Sequence, residues 1–270
     1  MRQTLAACAL LLGLTAAGLR AQVSVDAELG VFSAFEDRGV TNANRPVLQP
    51  QLVLALPLGN GTIELGAWTN YEPARYDGPR DIASGGELLG PAFTRLDLWA
   101  EYGREWGPFS AGAGAATYRY PSRSGLAAAY QTWEPYAWAA WSGVLEPEFA
   151  LYYDVGSVHG LYAEASVSRT LAAPAALPLT FALLAGFSAG QAETAAEPGY
   201  FESDGLTHID LSAGTSLPLG PLVFAPVLHL AFNRDAYTQL TSPDEPRSVK
   251  FWFGATVGWA TPSPREEELP

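Results

Sequence analysis

From Gln22 to Ala260 apolar and polar residues alternate with period two, and Gly, Pro and Asn interrupt the alternation at short intervals. This is the pattern of strands with one apolar and one polar face. It predicts twelve segments, over 23–35, 47–57, 63–73, 93–103, 109–119, 131–141, 149–155, 161–170, 179–189, 206–216, 222–233 and 249–260. In the last, Val249, Phe251, Phe253, Ala255, Val257 and Trp259 share one phase, and Lys250, Trp252, Gly254, Thr256 and Gly258 take the other. In the first, Val23, Val25, Ala27, Leu29 and Val31 oppose Ser24, Asp26, Glu28 and Gly30. Most segments have about the 9–11 residues of a tilted strand that crosses a bilayer.

Connection lengths alternate as well. The odd ones are long (36–46, 74–92, 120–130, 156–160, 190–205, 234–248) and the even ones short (58–62, 104–108, 142–148, 171–178, 217–221). Long loops at one end and tight turns at the other characterise an up-and-down membrane barrel, and a soluble sandwich has no reason to sort its loops this way. The predicted fold is therefore all-β, an antiparallel up-and-down transmembrane β-barrel of about twelve strands. Ten or fourteen are admissible, because 149–155 is short. An even count puts both termini at the short-turn, periplasmic end.

In hydrocarbon every backbone N–H and C=O needs an internal partner, so the sheet must close and charges must point inward. The alternation places Asp26, Glu28, Glu64, Asp97, Glu101, Glu164 and Asp210 on the inner phase, with Arg95 beside them. Glu134 and Asp154 share that phase, as do Arg119 and Lys250, so the predicted lining is acidic. Leu98 and Val257 fall on the lipid phase. Trp133 and Trp141 share the apolar phase eight residues apart, roughly 20 Å of height and close to the spacing of interfacial aromatic girdles. Pro50, Pro135 and Pro226 fall inside predicted strands, where each removes a ladder hydrogen bond and calls for a local bulge.

Composition adds the compartment. Arg2, the apolar run Leu5–Leu14 and the small-residue stretch Thr15–Ala21 read as a secretory leader over 1–21, cleaved after Ala17 or Ala21. Residues 22–260 form the barrel, and 261–270 an acidic, Pro-containing C-terminal tail. No apolar run is long enough for a spanning helix. Cys8, the one cysteine, lies in the leader, which leaves the mature chain no disulfide, thiolate metal site or cysteine nucleophile. Only 16% of residues are charged, Lys250 is the sole lysine and the net charge is -13, which argues against a nucleic-acid partner. The expected location is the outer membrane of a Gram-negative cell. The expected partners are outer-membrane lipid, the barrel-assembly machinery during insertion, and small ions or polar solutes.

The stretch Val31-Phe32-Ser33-Ala34-Phe35-Glu36-Asp37-Arg38-Gly39-Val40-Thr41, followed by Pro46 and Gln49, resembles the TorF-type porin family. The resemblance rests on an aromatic (Phe35), then Arg38-Gly39, a small polar residue (Thr41), Pro46, and Gln49 opening the second strand. It covers about 23–57 and implies an exported outer-membrane barrel. Gly254–Trp259 looks like the closing-strand signal of such barrels, although here the chain continues past the aromatic.

Candidate chemistry is sparse. His208, Asp210 and Ser212 fall on one strand face at i, i+2 and i+4, about 7 Å apart per step, too wide for a ready-made relay. A polar lumen ladder is the simpler reading, and a hydrolase site the alternative. His229 stands alone in its segment and His159 in a short loop. Asn60-Gly61-Thr62 reads as a hairpin turn before a glycosylation signal. Glu193, Glu197, Glu202 and Asp204 make an acidic long loop with weak divalent-ion binding as its functional alternative. Arg38 can pair with a rim carboxylate or line a constriction. No phosphate loop, zinc spacing or cofactor motif occurs, and no enzymatic activity is expected. The function expected is a porin-like channel for passive diffusion of ions or small polar solutes, narrow and cation-preferring. Inward Trp68, Tyr136, Trp138 and Trp252 would narrow it further. The alternative is a non-conducting barrel with a structural or surface-interaction role, served by loops 74–92, 190–205 and 234–248.

Overall fold

The computed structural model describes residues 23–76, 88–89, 91–121, 131–156, 158–171, 177–192, 199–201, 203–233 and 249–261. The expected leader, all of the expected tail except Thr261, and most of loops 74–92, 120–130 and 234–248 lie outside these residues.

Twelve long antiparallel strands form the barrel wall: β1 (Ser24–Phe32), β2 (Val47–Leu58), β3 (Gly61–Glu72), β4 (Ala92–Trp106), β5 (Phe109–Arg119), β6 (Thr132–Trp141), β7 (Glu148–Tyr153), β8 (Leu161–Leu171), β9 (Leu179–Ala189), β10 (Gly205–Gly214), β11 (Leu222–Asn233) and β12 (Val249–Ala260). Each pairs with its neighbours in sequence, and β12 returns to β1 in a register running from Asp26↔Ala260 to Phe32↔Gly254. The ring is closed. Every strand thus has a partner on both sides, which satisfies the backbone where no water could. Thr261 extends the seam by one step, its N–H donating to the Val25 carbonyl at 2.9 Å.

The alternation is realised in both directions. Leu29, Leu52, Leu98, Leu183, Leu228 and Phe253 are all exposed on the outer face, as lipid-facing residues are in a membrane barrel and far beyond what a soluble monomer shows water. At the short-turn end Trp106, Phe109 and Trp141 stand in adjacent register positions, with Phe109 and Trp141 stacked at 6.3 Å. Trp133 is exposed toward the long-loop end, completing the two heights expected of aromatic girdles.

The prolines are accommodated differently from expectation: none produces a bulge. An antiparallel residue turns its N–H to one neighbour only, so a proline costs one ladder bond on one side. The β2–β3 ladder skips Gln49 and Pro50 but resumes in the same register, Leu48↔Tyr71 and then Gln51↔Trp68. The β10–β11 ladder stops at Gly214↔Val227, opposite Pro226, and resumes in register at Leu217↔Phe224. The β6–β7 ladder begins at Tyr136, immediately after Pro135. Bulges instead occur at Asn70/Tyr71 and Gly186/Phe187. The turn at 59–60 also sits one residue earlier than expected, with Gly59 at φ 59 as its first residue and Gly61 already in β3.

A charge on the outer face should be costly and one on the inner face tolerated. Leu98→Arg is expected to cost about 2–4 kcal/mol. Ser166→Arg, inward-facing and directly across from Glu148, should cost much less. Urea unfolding from phospholipid vesicles measures both; equal costs would invalidate the assigned faces.

Candidate functional site

The first long connection, 36–46, contains a hairpin. Phe35–Asp37 pairs with Val40–Ala43. Arg38 and Gly39 form its two-residue turn at φ 53 and φ 80, the positive pair that a tight hairpin turn requires. The second arm is buried throughout, with Thr41 fully enclosed and Ala43 at 3% exposure, and in the first Phe35 is buried and Glu36 and Asp37 are half-buried. A hairpin at the head of a strand pair has only two places to go, solvent or lumen. This one enters the lumen, because its apolar side is taken up by Phe32, Val47 and Trp68 at its base and by Tyr162 and Phe201 near its tip.

Charged side chains hold it from several directions. Arg38 forms a fork with Glu134 of β6, Nη1 donating to Oε1 at 2.8 Å and Nη2 to Oε2. Asp37 pairs with Arg95 of β4, whose Nε also donates to Asp97 at 2.7 Å. Glu36 accepts from Lys250 of β12 at 3.3 Å and from the Thr41 hydroxyl at 3.1 Å. The Gly39 α-carbon lies against His208 of β10, so close that an added Cβ would fall 2.6 Å from the His208 Cβ. In a ring of twelve, β6 and β12 are half the circumference apart. The hairpin therefore spans the lumen.

The second hold is aromatic. The Arg38 guanidinium lies 4.4 Å from the Tyr162 ring and 4.9 Å from Tyr152, while Arg95 lies 4.8 Å from Tyr118. Tyr200 and Phe201 lie over the tip: Phe201 stacks on Tyr162, and the Tyr200 hydroxyl donates to Asp37 at 2.9 Å. Burial alone would raise the Asp37 carboxyl, but Arg95 and Arg38 hold it below the ordinary carboxylate range. Glu36 goes the other way, because burial outweighs its contacts with Lys250 and Thr41.

The partition divides the cavities. On its long-loop side is a cleft of about 30 Å³ lined by Asp37, Arg38, Arg95, Gln191 and Tyr200. On its short-turn side is a chamber of about 530 Å³ whose walls include Trp68, Trp99, Tyr136, Trp138, Asp97 and Glu101. Tyr118 lines both. A third space of about 150 Å³, at the short turns, shares Glu101 and Trp138 with the chamber. The large rings lie over strand neighbours that are glycine: Trp99 covers Gly66, and Trp138 covers Gly112.

The predicted lining residues fall into two groups. Arg95 and Asp97 belong to the partition, and Glu164 beside it accepts from the Tyr162 hydroxyl at 2.9 Å. Glu101 accepts from Tyr136 at 2.6 Å and Trp138 at 3.3 Å, and faces Glu64 directly across β3–β4. Asp26 and Glu28 follow on β1 toward the short-turn end. Of the motif residues, Phe35, Arg38, Gly39 and Thr41 make the hairpin. Gln49 stands at its base, donating to Asn70 at 3.1 Å, and Pro46 is exposed beside it. His229 is not isolated: its Nδ1 lies 2.9 Å from Asp210 Oδ1, and its ring stacks on Trp252 at 3.6 Å. Ser212 is its register partner, but no hydrogen bond joins them among the described residues. Asp204 accepts from Ser188 and the Gly190 N–H; Glu193, Glu197 and Glu202 lie outside the described residues. Tyr118, Tyr152, Tyr162, Tyr200 and Phe201 were not singled out from the sequence, where aromatic residues are too common to stand out.

Among solved structures the chain is similar to the NanC porin (9% identity, 87% of this chain and 98% of that one, TM-score 0.48). It is also similar to an outer-membrane channel from Pseudomonas putida F1 (11% identity, 90% and 97%, TM-score 0.47). A third is outer membrane phospholipase A from Escherichia coli (11% identity, 91% and 95%, TM-score 0.46). No protein-family model and no curated protein sequence matches. At this level of similarity nothing about solute or chemistry carries over, and the barrel assignment rests on the closed register itself.

Two outcomes test the partition. Arg38→Ala leaves Glu134 buried and unpaired, and removing one partner of such a pair costs about 3–5 kcal/mol. The double variant Arg38→Met with Glu134→Leu should recover much of that loss in the same unfolding measurement. On acidification the Glu36–Lys250 contact should loosen first, since Glu36 takes up its proton above the usual range. Asp37 has a lowered folded value, so its contribution is complete above the unfolded value of about 3.9 and is lost only as pH falls through the lowered one. Hydrogen exchange of the hairpin amides against pH would show whether the Glu36 end opens before the Asp37 end.

Proposed function

We propose that this chain is an exported outer-membrane channel of the TorF porin type, passing ions or small polar solutes by passive diffusion. The leader 1–21 directs it to the periplasm, and the assembly machinery inserts residues 22–260. The observation that carries the reading is a polar, cavity-bearing lumen crossed by a single pinned hairpin. A barrel built only as a scaffold has no need of a 530 Å³ chamber between its mouth and its partition. Twelve strands lie between the filled eight-stranded barrels and the wide pores of sixteen or more. The partition narrows the passage further where it crosses the lumen.

Cation preference follows from the residual charge. The two arginines and the lysine of the partition are engaged with Glu134, Asp37, Asp97 and Glu36. Asp26, Glu28, Glu64 and Glu101, toward the short-turn mouth, form no salt bridge among the described residues. An acidic mouth with low-dielectric walls concentrates cations and repels anions. A second reading, a closed barrel that works through its outer loops, draws support from the same hairpin, which fills the lumen where it crosses.

Conductance in a planar bilayer separates the two. The channel reading expects small, cation-selective currents whose selectivity fades as salt shortens the Debye length from about 10 Å at 0.1 M. It also expects Arg38→Ala to raise the conductance by loosening the hairpin. Absence of current from both the native chain and Arg38→Ala would favour the closed barrel, and an anion-selective reversal potential would refute the charge assignment.

A further inference from the structure

We infer that the chamber below the partition is a binding site for a small organic cation, an ammonium group carrying an apolar body. The inference deepens the channel reading by naming a solute class, and it rests on that reading only for passage, not for binding.

Three properties of the chamber converge on this class. Its walls are aromatic on several sides: Trp68, Trp99, Tyr118, Tyr136, Trp138 and Tyr152 all line it. Rings present a negative face, and an ammonium or guanidinium within about 6 Å of a ring centroid is held by it. Its charge is acidic. Asp97, Glu101 and Glu148 line it, while among the described residues no Lys, Arg or His does. Asp97 is matched by Arg95. Glu101 is not matched: its two oxygens take hydrogen bonds from neutral donors, Tyr136 and Trp138, which fix the carboxylate between two rings without cancelling its charge. Glu64, directly opposite across the β3–β4 ladder, adds a like charge beside it. Like charges facing each other across strands are destabilising, and a bound cation relieves that repulsion.

The third property is an internal precedent. The aromatic wall continues outward from Tyr136 to Tyr152 and Tyr162, with ring centroids 5.5 Å and 6.2 Å apart. At its outer end the chain's own Arg38 guanidinium is seated on Tyr152 and Tyr162. The same ladder thus already carries a planar organic cation beside a carboxylate. One step inward, Tyr136 and Glu101 repeat that pairing of ring and carboxylate with no protein cation on it among the described residues.

Other ligand classes fit less well. A bare divalent metal needs several oxygen or nitrogen ligands at one point, and no group of three His, Cys, Asp or Glu that could hold one occurs among the described residues. A neutral sugar would bring no counter-charge to Glu101, whose hydrogen-bond donors Tyr136 and Trp138 are both neutral.

Tryptophan fluorescence of the full chain folded in detergent tests the site without requiring current. The probes are choline, its neutral carbon isostere dimethylbutanol, glucose and calcium. Choline is expected to give a saturable change that dimethylbutanol and glucose do not. Glu101→Gln, which keeps the shape of the side chain, should weaken that binding about tenfold. Heat-modifiable gel mobility confirms that the variant is folded, and Trp138→Phe, expected to weaken choline as well, serves as the second variant if it is not. Equal responses to choline and dimethylbutanol, a saturable response to glucose or calcium alone, or unchanged choline affinity in both folded variants would overturn the inference. Potassium current without choline binding would overturn it and leave the channel reading standing. Choline binding without current would do the reverse.

Discussion

The pairing of β1 with β12 is what allows the remainder of the molecule to exist. A twelve-stranded sheet with free edges would present unpaired amides to hydrocarbon at several kcal/mol each, and no arrangement of side chains could offset that. Once Asp26–Phe32 is joined to Gly254–Ala260, the backbone is satisfied without help from water. The side chains are then divided by geometry alone. One phase of every strand meets lipid and must be apolar; the other meets an enclosed space and can carry charge.

That enclosed space sets its own rules. Inside the ring the dielectric is low and charges interact strongly, so an unpaired arginine would be expensive. The partition answers this by pairing Arg38 of the hairpin with Glu134 of β6, and Asp37 and Glu36 of the hairpin with Arg95 of β4 and Lys250 of β12. Such pairs contribute little net stability compared with an apolar filling. They do fix position, because a forked guanidinium–carboxylate contact tolerates little displacement. The hairpin is held at a defined height by contacts with β4, β6, β10 and β12 together, and the cavities on its two sides owe their separation to it. Large rings lying flat over Gly66 and Gly112 keep the inner chamber open where upright rings would fill it.

Asp97 shows how context changes a residue's meaning. By phase it is one more lumen carboxylate beside lipid-facing Leu98. In the folded chain it is one of two carboxylates on buried Arg95, so its replacement leaves that guanidinium to Asp37. Glu101, four residues on and in the same phase, has only neutral donors. One carboxylate belongs to the scaffold of the partition and the other to the chamber.

The amino-acid pattern by itself indicated about twelve strands, with ten or fourteen left open until the ring closed, and it determined the ends of β5, β9, β11 and β12, the alternation of long and short connections, and which phase is charged. These follow from period-two alternation and turn residues, which are local properties that a sheet repeats along every strand. The prolines were legible as missing donors but not as gaps in register, because the continuity of a ladder depends on the partner strand. The entry of the hairpin into the lumen was decided by tertiary structure alone. Asp37-Arg38-Gly39-Val40 carries a turn signal, yet nothing near it in sequence announces Glu134, His208 or Lys250 as partners. Those residues stand 96 to 214 positions from their partners along the chain and meet Arg38, Gly39 and Glu36 only because closure brings the sixth, tenth and twelfth strands around a space one hairpin wide.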